Sequence, residues 1–174
     1  MTDERYPIGK YTPVPAMSAA ERSACIEQIV AAPANFRKAV AGLNDAQLDT
    51  PYRDGGWTVR QVAHHLPDSH MNAYIRFKWG LTEDSPAIKT YEEKDWAKTP
   101  DTRSPIAMSL DLLTSLHLRW VALLRGMRAD DFARTIKHPD WGLPSLDTML
   151  GLYAWHGRHH TAHVTALRQL KGWN

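Results

Sequence analysis

The chain has 174 residues with 21 lysines and arginines against 19 aspartates and glutamates, a formal charge of +2. That length suits one domain with a full core, and basic residues this scattered exclude a nucleic-acid-binding face. Cys25 stands alone, which excludes an internal disulfide or a cysteine zinc site and points to a reducing, cytoplasmic compartment; no stretch approaches the ~20 apolar residues of a membrane span, and no signal-peptide pattern is seen.

Residues 1–16 hold Pro7, Pro13 and Pro15 around Gly9, Tyr6 and Tyr11, a mixture that bars helix and predicts an extended arm laid on the domain by its aromatic rings. Ser18 with Glu21 makes a capping box. Ile26, Ile29, Val30, Phe36, Val40 and Leu43 then recur at helical spacing, so a first helix is expected to about residue 42, bent or split by Pro33. Asp54-Gly55-Gly56 marks a turn, and Thr58 caps a second helix to about residue 81, with Val59, Val62, Leu66, Ala73 and Phe77 on its apolar side. Beside that side runs a polar row of Gln61, His65, Asp68, Ser69, Asn72 and Arg76, which either lines a pocket or is a solvated face. Pro67 should kink this helix beside His64, His65 and His70, and the kink leaves periodicity unable to choose among them.

Residues 82–104, rich in Pro, Thr and charge, form a long connection suited to a functional loop or to a crossover between parallel helices. A third helix is expected over about 104–125, with Leu110, Leu113, Leu116, His117, Trp120, Val121 and Leu124 facing inward. His117 reads as a core residue or the partner of a ligand rather than a ligand. A polar connection with one helical turn follows over 130–140, and a fourth helix starts near Ser145. It carries Trp155-His156-Gly157-Arg158-His159-His160-Thr161-Ala162-His163, four histidines in nine residues. Both His156 with His160 and His159 with His163 have the four-residue spacing that lets two rings share one ion. Leu146, Met149, Tyr153, His156, His160, Val164 and Leu167 share a stripe that His159 lies outside and His163 borders, so the inward pair is His156 and His160. The alternative is two ordinary core histidines. Four amphipathic helices without strand alternation make this an all-α four-helix bundle spanning 1–174.

The arm, the phrase Gly55-Gly56-Trp57-Thr58-Val59-Arg60-Gln61-Val62-Ala63-His64-His65-Leu66 and the run 155–163 together resemble the DinB/YfiT-like family, in its YfiT type, over almost the whole chain. The resemblance implies an up, down, down, up bundle and one divalent ion, zinc or nickel, held by three histidines. Its first ligand is the histidine directly before Leu in the second-helix motif, His65; the other two match His156 and His160. His163 stands where many relatives have Gln, and Pro67 departs from the family pattern. Members of this type are metal-dependent hydrolases related to bacillithiol S-transferases, and a homodimer is implied too, in keeping with seven tryptophans in so small a bundle.

Three histidines leave an open position on the ion, as in catalytic sites. The ion could activate water for hydrolysis or ionise a small thiol for transfer to an electrophile. No His-Glu-x-x-His occurs and the fourth-helix motif holds no acid, which favours thiol transfer over hydrolysis; a non-catalytic metal-binding bundle is the third reading. Ser69, Asn72 and Arg76 are candidates for holding the polar body of a low-molecular-weight thiol or other small substrate, with His117 a candidate supporting residue.

Overall fold

The computed structural model describes residues 3–173. Side-chain caps open three of its four long helices. Ser18 accepts from the Glu21 N–H while the Glu21 carboxylate accepts from the Ser18 N–H, starting α1 (Ala19–Val40). Asn44 with Gln47 opens the single turn α2 (Asp45–Leu48), and Thr58 with Gln61 opens α3 (Val59–Thr82). The long connection holds the single turn α4 (Glu93–Trp96) and a 3-10 turn at Pro100–Arg103 before α5 (Ile106–Gly126). After the single turn α6 (Ala129–Phe132), Ser145 caps α7 (Leu146–Lys171), which ends on Gly172 at φ 65°. Each cap satisfies an N–H that helix geometry leaves free, worth about 1 kcal/mol.

Pro33 does not split the first helix. Ile29, Ala32, Phe36 and Val40, on both sides of the proline, share one buried face that keeps the halves in one element. Likewise α3 runs unbroken through Pro67.

Contacts between side chains give the helix directions. Arg22 meets Asp147 near the starts of α1 and α7, and Arg168 meets the Ala39 carbonyl near their ends, so this pair is parallel. His64 meets Ser109 and His70 meets His117, so α3 and α5 are parallel. Glu27 with Arg125 and Arg37 with Asp111 make α1 antiparallel to α5; His65 with His160 and Arg76 with Tyr153 make α3 antiparallel to α7. The order is up, down, down, up, and the α3–α5 step needs the long crossover.

The apolar core falls into two clusters. One gathers Ile29, Phe77, Trp120, Leu146, Met149 and Leu150, the other Phe36, Val59, Leu66, Leu113, Val164 and Leu167. Between them, at the middle of every long helix, lies a polar layer containing His65, His70, His117, His156 and His160. Gly157 belongs to this level: a Cβ there would stand 3.1 Å from the Ala32 Cβ, so its absence lets α1 and α7 approach.

Residues 3–17 run along α7 in the opposite sense. The carbonyls of Arg5, Gly9, Val14 and Pro15 accept from His163, Trp155, Thr148 and Ser145, and Tyr11 Oη donates to the Thr148 carbonyl at 2.7 Å. Contrary to the expectation that no stretch would be long and apolar enough for a membrane, α5 reaches that length and composition. Its place is between α1 and α3, with His117 and Trp120 buried in the core.

Candidate metal centre

The four-residue spacing sets His156 and His160 one turn apart on α7, and antiparallel packing brings His65 of α3 against both, with ring centroids 5.3 and 4.9 Å away. One nitrogen of each histidine lies within 4.8 Å of those of the other two. His65 Nε2 and His156 Nε2 are 3.3 Å apart; two imidazoles on a tetrahedral ion, each at ~2.0–2.1 Å, would stand about 3.3–3.4 Å apart. His160 Nδ1 is buried with no hydrogen-bond partner among the described residues, as are the Nδ1 atoms of His159 and His163. Burial depresses all three rings, His65 to about 4 and His156 and His160 well below the usual value, so each is neutral at pH 7 with a lone pair to give. This donor set fits a divalent ion that keeps an open position, and among the described residues it is the one such group of three.

The other histidines take different places. His159, expected outside the inner stripe, is buried: Trp155 stacks on it at 4.2 Å and Tyr6 lies 5.9 Å away. The arm covers that face, and a helical wheel drawn on α7 alone cannot include the arm. His163 is buried for the same reason, stacked on Tyr52 at 3.9 Å and donating to the Arg5 carbonyl at 3.2 Å. His64 turns to α5, bonding Ser109 Oγ at 2.7 Å and donating to the Ser104 carbonyl at 3.1 Å. His70 lies behind His156, its Nε2 3.0 Å from His156 Nδ1, and His117 lies 2.7 Å behind His70.

Two cavities reach the cluster. One of about 740 Å³ is lined by Tyr6, Tyr52, Trp57, His65, His156 and His160. The tight turn before Trp57 requires glycine: a Cβ on Gly56 would stand 2.7 Å from Arg53 Cγ and 3.2 Å from the Arg53 carbonyl oxygen. The other, of about 550 Å³, lies on the far side of His156 and is lined by Ser69, Arg76, Tyr91, Glu93, His138 and Tyr153. Glu93 and Lys94 of α4 line both.

Arg76 is buried, donating to Tyr153 Oη and the Lys89 carbonyl, each at 3.2 Å, and has no ion-pair partner among the described residues. Tyr91 Oη is buried in the same cavity, near the Ser69 hydroxyl. Asn72, paired with these in the sequence reading, turns back to its own helix and donates to the Asp68 carbonyl. Burial and nearby Asp101 hold the Asp68 carboxyl up at about 6, but it lines neither cavity. Trp57, Tyr91 and Glu93 had no role in the sequence reading. Only the length of the 82–104 connection hinted that it would reach the site.

Residues 28–164 match the family model described as the DinB superfamily. The chain belongs to that family. Proteins of Bacillus cereus (strain AH820) and Bacillus anthracis (strain A0248), each 51% identical over 173 residues covering 99% of this chain and 100% of theirs, carry the name "Putative metal-dependent hydrolase". Among solved structures, this DinB chain is similar to YfiT from Bacillus subtilis, with a TM-score of 0.96 and 48% identity over 99% of this chain and 100% of that one. YfiT is described as a probable metal-dependent hydrolase with an unusual four-helix bundle topology. TT2238, a four-helix bundle protein, aligns at a TM-score of 0.56 and 18% identity over 87% of this chain and 98% of its own, a likeness of fold alone. The DinB four-helix bundle expected from the sequence is thus found.

Proposed function

We propose that this DinB protein is a metal-dependent enzyme that holds zinc or nickel with His65, His156 and His160 and transfers a small thiol to an electrophilic substrate. One juxtaposition carries the reading: His156, a member of the three-histidine set, lines the cavity that holds a buried Arg76, which makes no ion pair among the described residues and has Glu93 as its neighbouring carboxylate. An ion bound there supplies the positive charge that ionises a thiol, or water, at neutral pH without a strong side-chain base.

The chain's own residues would do the rest. Arg76 offers a rigid, charged fork for a carboxylate or similar anionic group on the thiol. Tyr91 Oη and the Ser69 hydroxyl add polar contacts on the same wall. On the other side of His156, Tyr6, Tyr52 and Trp57 form an aromatic wall against which an apolar electrophile can rest. Arg5 and Tyr6 of the arm line that side.

Hydrolysis is the second reading, favoured by the names of the relatives and by Glu93. Partial desolvation raises the Glu93 carboxyl against the opposing pull of Arg76, and the side chain, which lines both cavities, could take a proton from attacking water. We also propose a cytoplasmic homodimer. Support comes from the single cysteine, from the seven tryptophans, of which Trp79, Trp96 and Trp141 are exposed, and from an apolar stripe of Met71, Ile75 and Trp79 left on the outside of α3.

The deciding assay gives the metal-loaded protein a model electrophile with and without bacillithiol, and in parallel a panel of activated esters and amides. Thiol-dependent loss of the electrophile that disappears in His160→Ala is expected. Ester or amide turnover that needs no thiol and is lost in Glu93→Gln would establish hydrolysis instead, and silence in both arms would leave a metal-binding bundle without turnover.

A further inference from the structure

Pro33 breaks the hydrogen-bond ladder of α1, and the carbonyl it frees is linked to the metal centre. In an ordinary helix the N–H of residue 33 would bond to the Ile29 carbonyl, but proline has no N–H. That carbonyl instead accepts from His117 Nδ1, at 2.7 Å.

A carbonyl oxygen can only accept, so the His117 proton sits on Nδ1 and the neutral ring presents a bare Nε2. This Nε2 lies 2.7 Å from His70 Nδ1, which must then carry the His70 proton, leaving His70 Nε2 bare. His70 Nε2 lies 3.0 Å from His156 Nδ1, which must carry the His156 proton. His156 Nε2 is left with its lone pair, facing His65 Nε2 at 3.3 Å. The other order would set a bare nitrogen against a carbonyl oxygen in a dry interior, where unpaired polar contacts cost most. One link comes from each long helix: a carbonyl of α1, His117 of α5, His70 of α3 and His156 of α7.

We infer that Pro33 is a positioning residue: by freeing the Ile29 carbonyl it sets the tautomers of His117, His70 and His156 in turn, so that His156 offers Nε2 to a divalent ion. The inference rests on the three-histidine metal reading, yet its main readout needs no ion. In metal-free protein labelled with ¹⁵N-histidine, long-range ¹H–¹⁵N spectra should show His117, His70 and His156 all protonated at Nδ1. A proton on Nε2 of any of the three would overturn the chain of tautomers.

Pro33→Ala restores a competing N–H to Ile29 while keeping the helix. It should shift the His117 Nδ1 proton signal and weaken Zn²⁺ binding, measured by competition with a chromogenic chelator, by about three- to tenfold, the range expected for one weakened hydrogen bond. His117→Phe cuts the chain outright and should weaken binding by roughly 10- to 100-fold, as is usual when a metal-bound histidine loses its supporting partner. A Pro33→Ala protein with both the proton signal and the affinity unchanged would reduce the proline to packing. Failure of even the wild type to bind Zn²⁺ or Ni²⁺ would sink the metal reading, while the wild-type tautomers would still decide the hydrogen-bond chain.

Discussion

Burial holds the pKa of His65, His117, His159 and His163 at about 4 in the folded protein, below the usual value of 6.5. Between those values the unfolded chain binds more protons than the folded one, so stability present above pH 6.5 is lost as the pH falls toward 4. The loss is at most about 1.4 kcal/mol per pH unit for each ring. Denaturant titrations of the metal-free protein at pH 7.5, 6.0 and 5.0 should show a falling midpoint, and a constant one would contradict this. Arg76 makes a second residue-level prediction. Arg76→Met should raise KM for an anionic thiol roughly 10- to 100-fold, the worth of a charged hydrogen-bonded pair, with kcat little changed; an unchanged KM would remove Arg76 from the site. His156 and His160 were legible as a pair because helical period alone sets them on the core stripe. Periodicity could not single out His65 beside Pro67, and burial of His159 depends on an arm some 150 residues away in sequence, which no local pattern encodes.

The arm, α1 and α7 are joined at one buried carboxylate. Arg22 donates to both oxygens of Asp147 at 2.7 Å, and the Met17 N–H donates to one of them at 3.0 Å. Asp147→Ala would strand the guanidinium and the amide, so it should cost about 3–5 kcal/mol in urea unfolding. A loss under 1 kcal/mol would show the contact to be dispensable. Ser18, Thr58 and Ser145 were readable helix starts because a cap is a local device, complete within four residues. The continuity of α1 through Pro33 was not readable, because packing on the far side of the proline outweighs the lost hydrogen bond. Nor could Glu93 be assigned to the site. Its short helical turn shows no periodic pattern, and where a crossover lands depends on the helices beneath it.

At the scale of the molecule, the outer face of α3 carries exposed Met71, Ile75 and Trp79 one turn apart. Light scattering of the metal-loaded protein at micromolar concentration should give twice the chain mass, and a monomer would refute the homodimer. The layered core carries a different consequence. Two oily halves meet at a polar waist, and each half can loosen without the other unless something rivets the middle. An ion on His65, His156 and His160 would grip only α3 and α7 directly, but the bonds from His156 through His70 and His117 to Ile29 would pass that grip to α5 and α1. At a hundredfold excess over Kd, the ion should add about 2.7 kcal/mol. Amide hydrogen exchange should therefore slow at mid-height in all four helices together, including the two that supply no ligand, while the frayed ends of the bundle exchange as before.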